Sequence, residues 1–492
     1  MRSTPLLWPA LVAVASAAAV VPLWSSALLP FQDAPQHLAS IRVLADYHTP
    51  EFGFEKWFEI DLFKLQYLGF YLPAAALAKV FGPDKGCRIL LSLIGLALPA
   101  SVWMLLGAFG RDRRLTVFAP AVFHTMPLYM GFFNYVESVP AAIAVVALTE
   151  RQLREPSPRR AAIIGVGAAL LLWLHPSALA FAIAAAVVLS LTSGLSARRM
   201  RAALLPYLPA LALLFAWALR AALDRDGSGQ APHASPRWLP LRERVLDIAR
   251  FGNVLAGHAD ELFVLALLAL FAAAVLVRGG ERQERAFRLP LLAALTLIGY
   301  FVAPFDIGYM GFIGHRALPF LAVLIIASPA LAPGRLTSAL CAAAVALQLV
   351  YDAKLAVTYR AFDAEAQVAE LHQVLAAAAP GKRLVALIWN QDSRVVQFQP
   401  YMHFGAYSEV QRGGRALYNF AETPWTPVRF RRGTEPSPMP RGWEVRPQEM
   451  DLSRVARETD TLLVRGPAQE PGAGFRLRAR AGRWSLYETV QQ

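Results

Sequence analysis

The feature that most constrains the fold is a repeated alternation. Apolar runs, each near the length that crosses a bilayer, are interrupted by short clusters of arginine. About 20 apolar residues in a helix cover the hydrocarbon core. Runs of this kind lie near 6–29, 87–109, 114–134, 136–150, 161–174, 176–192, 202–222, 258–278, 289–304, 313–330 and 335–356. The chain is predicted to be a polytopic α-helical membrane protein of about 11 spans, with interfacial or re-entrant helices beside them. Charge supports the class: 17% of the residues are charged, against about a quarter in soluble proteins. The formal net charge of +13 arises from arginines between apolar runs, the pattern of cytoplasmic loops, so no nucleic-acid partner is expected and membrane lipid is.

The arginines also set orientation. Arg111, Arg113 and Arg114 form one cluster; Arg151, Arg154, Arg159 and Arg160 a second; Arg198, Arg199 and Arg201 a third; Arg278, Arg282, Arg285 and Arg288 a fourth. Two predicted spans separate each cluster from the next, which places all four, with Arg335, on one side, read as cytoplasmic. The opposite, outer side then receives the loop 31–65, Asn134–Glu137, His175-Pro176, the loop 223–257, the loop 304–313 and everything after 357. The first apolar stretch is longer than a signal-peptide core and is expected to remain as a span. Residues 66–82 are apolar but short, about 25 Å as a helix, and contain Pro73. They are expected to form a juxtamembrane or re-entrant helix, because a full crossing would invert every later loop. The spans themselves are expected to carry almost no interior charge.

From 357 the composition changes. Residues 360–379 have helical periodicity, and 383–389, 461–464 and 484–487 read as strands among Pro and Gly clusters. The expectation is a transmembrane domain, 1–356, and a small extracytoplasmic α/β or α+β domain, 357–492. Neither a Walker A loop nor an internal repeat is present, and Cys87 and Cys341 have no metal-ligand or disulfide spacing.

Polar residues near lipid need a partner or a purpose. On the outer side the candidates are Asp33, His37, Asp61, Glu137, His175, Asp306, His315 and Arg316. Asp33 precedes Pro35, a residue suited to the first turn of a helix, so it stands either as a helix cap or as a base that accepts a proton from an attacking hydroxyl. His37 stands four residues on, to orient Asp33 or to join it as a ligand of a divalent metal. Arg316 follows a loop with three glycines, Gly308, Gly311 and Gly314, and its guanidinium suits a phosphate; His315 sits beside it. Glu137 is a possible second carboxylate, His175 a polar group at a tight turn, and Trp238, Arg242 and Arg244 a lid in the long outer loop.

Together these features resemble the GT-C class of membrane glycosyltransferases, in the broad manner of the bacterial protein-mannosyl and aminoarabinose transferases. The resemblance covers residues 1–356. It rests on the N-terminal span, the outer loop opening with Gln32-Asp33-Ala34-Pro35-Gln36-His37, the segment 77–92 and the C-terminal outer domain. It implies a bacterial inner-membrane enzyme that moves a sugar from a polyprenyl-phosphate donor to an extracytoplasmic acceptor. Asp33 would be the base and Arg316 the partner of the lipid phosphate. Many members carry paired acids where this chain has Asp33 between Gln32 and Ala34, which bears on any metal requirement. Two other classes stand beside this expectation: a transporter or flippase of a lipid-linked substrate, which needs polar groups along a path through the membrane, and a non-catalytic assembly protein.

Overall fold

The structure, a computed structural model, describes residues 6–63, 66–194, 196–223, 235–277, 287–308, 310–423, 426–436, 439–440, 442–466, 471–472 and 474–490. It is mostly helical. Residues of the predicted fourth arginine cluster other than Arg288 lie outside the described residues.

The membrane part runs through α1 (Leu7–Val20, continued by a 3-10 turn to Trp24), α2 (Ala34–Ala45), α3 (Leu68–Phe81), α4 (Pro83–Ala108), α5 (Phe133–Arg154), α6 (Pro158–Leu174), α7 (Pro176–Leu191), α8 (Leu208–Leu223), α9 (Leu241–Ala249), α10 (Ala259–Leu276), α11 (Arg288–Val302), α12 (Leu318–Ala327) and α13 (Arg335–Ala366). Among the described residues, five helical stretches are long and apolar enough to cross a membrane unaided: Leu7–Trp24, Pro83–Ala108, Ala197–Arg220, Ala259–Leu276 and Arg335–Ala366. Four shorter apolar helices accompany them, Leu68–Phe81, Pro176–Leu191, Arg288–Val302 and Gly314–Ala327.

The helix ends sort onto two faces. On one, Arg288 donates to Glu150 on α5 at 2.8 Å, to the Leu189 carbonyl at 2.8 Å and to Thr192 at 3.2 Å, joining the last turn of α5, the end of α7 and the start of α11. There too Arg114 reaches Ser338 and the Ala332 carbonyl, both at 3.0 Å, beside the start of α13. Arg288 lies 5.9 Å from the Phe109 ring, just ahead of Arg111, so the start of α11 and the Arg111–Arg114 cluster share a face. On the other face lie the start of α5, His175 ahead of α7, and the far ends of α1 and α13, where Asp363 accepts from the Ala27 and Leu28 backbone.

Three sequence expectations fail here. The predicted span 114–134 is not a helix. It comprises 3-10 turns at Arg113–Phe118 and Pro120–Val122 and one helical turn at Met126–Tyr129. Pro120 and Pro127 break the ladder, and the irregular backbone survives because neighbouring helices bury it. The predicted last span stops at 356, whereas α13 continues to Ala366 and ends where Gln367 takes φ +54°. The interior is not free of charge either. Glu150 and Arg288 form a fully buried pair, and Asp352 is buried on α13, accepting from Gln348 at 2.8 Å. Hydropathy averages over such single residues.

Residues 66–82 contain the short apolar helix α3. Tyr71 in α3 touches α2, while Arg88, in the second turn of α4, donates to the Leu23 and Ala27 carbonyls at the end of the first span. Both ends of α3 therefore sit on the same face.

The C-terminal part adds α14 (Val368–Ala376), β2 (Arg383–Ile388), α15 (Tyr407–Arg412), β3 (Arg415–Ala416), β4 (Val428–Phe430), α16 (Gly442–Val445), α17 (Leu452–Glu458), β5 (Thr461–Arg465), β6 (Phe475–Ala481) and β7 (Trp484–Thr489); β1 (Phe58–Ile60) lies in the first loop. Five strands order as β3-β2-β5-β7-β6, parallel across β3, β2 and β5 and antiparallel beyond. The alternation of β2 explains the layers: Leu384 and Ile388 face Phe404, Tyr407 and Trp484, and Val385 and Leu387 face Trp443, Met450 and Val455.

This domain is not a separate bead. The helix α13 runs unbroken through residue 356, and β1 pairs antiparallel with β4 in the register Phe58↔Phe430. The Gln36 side chain donates to the Tyr418 carbonyl at 2.9 Å and accepts from the Phe420 N–H at 3.2 Å. Arg42 donates to the Val410 carbonyl at 2.9 Å. The loop 31–65 is thereby built into the C-terminal domain.

Candidate functional site

Asp33 stands at the N-cap of α2, yet its side chain makes no capping hydrogen bond. Its carboxylate instead faces His403 of the C-terminal domain, Oδ1 to Nε2 at 3.4 Å. The other ring nitrogen, Nδ1, lies 2.7 Å from Glu444 Oε1. Burial works against charge on His403, but Glu444 and Asp33 together outweigh it and raise its pKa to about 10. His403 is thus an imidazolium between two carboxylates at neutral pH. All three side chains keep some access to solvent, 15% for Asp33, 10% for His403 and 18% for Glu444.

The turn before α5 presses on this group. Gly131 has φ +83°, and a Cβ there would stand 2.6 Å from the Asp33 Cβ and 2.9 Å from its backbone nitrogen. Only glycine fits. The Gln32 N–H donates to the Tyr129 carbonyl at 2.9 Å, fixing the same junction.

His37 does not serve Asp33 in the way its spacing suggested. Its Nε2–H donates to the Gly131 carbonyl at 2.7 Å, and its Nδ1 accepts from the Tyr71 hydroxyl at 2.9 Å. Phe70, Phe133 and Phe420 enclose the ring. Burial lowers its pKa to about 4, in spite of the Asp33 charge, so it is neutral. With both nitrogens engaged, it has no lone pair for a metal; it packs α2 against the Gly131 turn. Among the described residues, no group of three or more His, Cys, Asp or Glu side chains is placed to hold a metal ion.

Arg316 lies on the other side of the same turn. Its guanidinium sits 5.8 Å from the Phe132 ring, and its backbone carbonyl accepts from the Tyr135 hydroxyl. Tyr67, Tyr135 and His175 surround it. No carboxylate among the described residues pairs with it, and its Nε has no partner. His175 caps α7, accepting from the Ser177 N–H at 3.2 Å and from its hydroxyl at 2.7 Å, and its ring lies tilted to Tyr67 and edge-on to Tyr135. It is a wall of the Arg316 pocket held by its own cap.

His315 turns away from its neighbour. Its Nε2 meets Asp247 on α9 at 2.9 Å, among Tyr300, Phe305 and Phe312. Glu137 is half-buried with one carboxylate oxygen unpartnered, and no ion pair joins it to Arg316. Arg244 is no lid: it is 5% exposed and donates to the Tyr300, Phe301 and Ala303 carbonyls. Asp61 pairs with Arg429, and Asp306 with Arg237, so both are stitches between loops.

Asp33 and Arg316 thus flank one turn, Gly131–Phe132, whereas His403 and Glu444 escaped the sequence reading. They lie in a stretch without periodicity, and only the Trp443-Glu444 dipeptide among Pro and Gly hinted at an anchored turn. The fold and the site define a helical membrane protein whose first loop and C-terminal α/β domain share one polar centre. No protein-family model matches the chain, and no curated protein matches it.

Proposed function

We propose that this chain is a GT-C-like glycosyltransferase of the bacterial inner membrane, with about 11 crossings if the shorter helices and the broken segment 113–132 traverse the bilayer. The arginine-bearing face is cytoplasmic and the C-terminal domain extracytoplasmic. The substrate is a sugar carried on polyprenyl phosphate. The acceptor hydroxyl attacks the anomeric carbon, the bond from that carbon to the phosphate oxygen breaks, the proton passes to Asp33, and polyprenyl phosphate leaves. The observation that carries the reading is Asp33 itself: a carboxylate at the exit of the first span, free of capping duty, and held by a cation from the C-terminal domain.

One further feature supports it. Arg316 is a cation that no carboxylate among the described residues pairs with, suited to a leaving phosphate by electrostatic stabilisation. The test is release of polyprenyl phosphate from polyprenyl-phosphate sugars by the protein in lipid nanodiscs. Asp33→Asn is expected to abolish release while expression and insertion persist. Full turnover in that variant would refute the assignment.

A second reading, transport of a lipid-linked substrate, has one observation in its favour. Asp352 and Gln348, buried on α13, each keep one oxygen without a partner, and polar groups inside the membrane often mark a path. Accumulation of substrate in vesicles without covalent product distinguishes this reading.

A further inference from the structure

The C-terminal sheet has a topological switch point at β2. The connection from β2 to β3 carries α15 and covers the face of Leu384 and Ile388. The connection from β3 to β5 carries α16 and α17 and covers the opposite face, that of Val385 and Leu387. Crossovers that leave in opposite directions open a crevice at the carboxyl ends of the strands, and open α/β sheets bind ligands there.

Each crossover sends one side chain to that place. His403 comes from the first and Glu444 from the second, and they meet at 2.7 Å. Gln391, just beyond the carboxyl end of β2, donates its amide Nε2 to the Glu444 carbonyl. Its Oε1 has no partner although the residue is only 7% exposed. An acceptor left unpaired in such a position marks a place for a donor from outside the protein. From below, α2 brings Asp33 to 3.4 Å from His403. Phe420, half-buried, has its ring 6.1 Å from the His403 ring.

The chemistry of the set selects its ligand. Two carboxylates and one amide oxygen surround a single imidazolium, so acceptors exceed donors and the net charge is negative. That repels an anion and suits a neutral molecule rich in hydroxyl donors. The Phe420 ring offers an apolar face to the C–H side of a sugar ring.

We infer that the carboxyl edge of β2 and β3 binds a neutral carbohydrate, with Gln391 and Glu444 receiving its hydroxyls and one hydroxyl turned toward Asp33. The inference rests on the transferase reading for the role of that sugar as acceptor, and it adds to that reading a binding site in the C-terminal domain.

The experiment is saturation-transfer NMR on the full chain in nanodiscs, with no lipid donor present. The probes are the methyl glycosides of glucose, galactose, mannose and N-acetylglucosamine. Saturation is expected to reach at least one of them and to fall at least five-fold in Gln391→Leu and in the isosteric Glu444→Gln. Melting curves check that each variant folds, and Glu444→Gln decides alone if Gln391→Leu does not. The inference is overturned if no glycoside is saturated, or if the folded variants bind as the wild type does. Failure here with donor turnover intact removes only this site. Binding without any donor turnover removes the transferase reading and leaves a carbohydrate-binding domain.

Discussion

Replacing His403 with glutamine removes the cation between Asp33 and Glu444 while keeping much of the side-chain volume. The magnitude follows from the ion pairs. His403 is held at about 10 against an ordinary 6.5, a difference worth about 4–5 kcal/mol at 1.36 kcal/mol per unit. Solvent reaches all three side chains, so screening trims the expected loss to about 2–3 kcal/mol. The sign with pH is fixed. A raised histidine contributes its full stabilisation below pH about 6.5 and loses it as pH rises through about 10. Intrinsic-fluorescence melting of wild type and His403→Gln, in one detergent, measures this. The melting temperature of the variant is expected to lie roughly 3–6 °C lower at pH 6. The gap should close by pH 10. Equal melting temperatures at pH 6, or a gap that stays constant from pH 6 to 10, would show that His403 carries no such charge between the two carboxylates.

Other perturbations have comparably definite outcomes. Gly131→Ala puts a methyl against Asp33 at 2.6 Å and adds a β-carbon at φ +83°; melting should fall by the equivalent of about 1–3 kcal/mol, and donor turnover should fall with it. Gln36→Ala removes two hydrogen bonds to the 418–420 backbone, a cost of about 1–3 kcal/mol, and hydrogen exchange at Phe420 should quicken. Arg316→Ala deletes a half-buried cation with no carboxylate partner among the described residues; its melting temperature should hold or rise while turnover of the lipid donor drops.

The helical, apolar character of the chain up to α13 and the small C-terminal sheet are legible because hydropathy acts through bulk transfer energy, which the sequence states directly; the five helices long enough to cross are fewer than the 11 apolar runs. Asp33 is legible for the same reason: a carboxylate directly after a span is conspicuous. The rest depends on partners remote in the chain. His37 reads as a candidate ligand because Phe70, Tyr71, Phe133 and Phe420, which enclose it, come from three separate places in the chain. His403 and Glu444 look like ordinary surface residues until two crossovers bring them to the end of β2. The segment 113–132 matches a span in composition, and only Pro120 and Pro127 betray its break. His315 and Arg316 are neighbours in sequence but diverge in space, since Asp247 claims the imidazole.

The end of the first apolar helix and the C-terminal domain meet in one polar centre, at Asp33 and His403. A cysteine pair tests it in native membranes, because Cys87 and Cys341 are buried and do not compete. The 3.4 Å contact joins side-chain tips, so the β-carbons stand farther apart than a disulfide allows, and a short bis-maleimide is the suitable reagent. Asp33→Cys with His403→Cys should cross-link, and Asp33→Cys with Arg335→Cys, at the opposite end of α13, should not. A chain in which the second pair links, or in which the first stays open while each cysteine is labelled singly, would contradict the account.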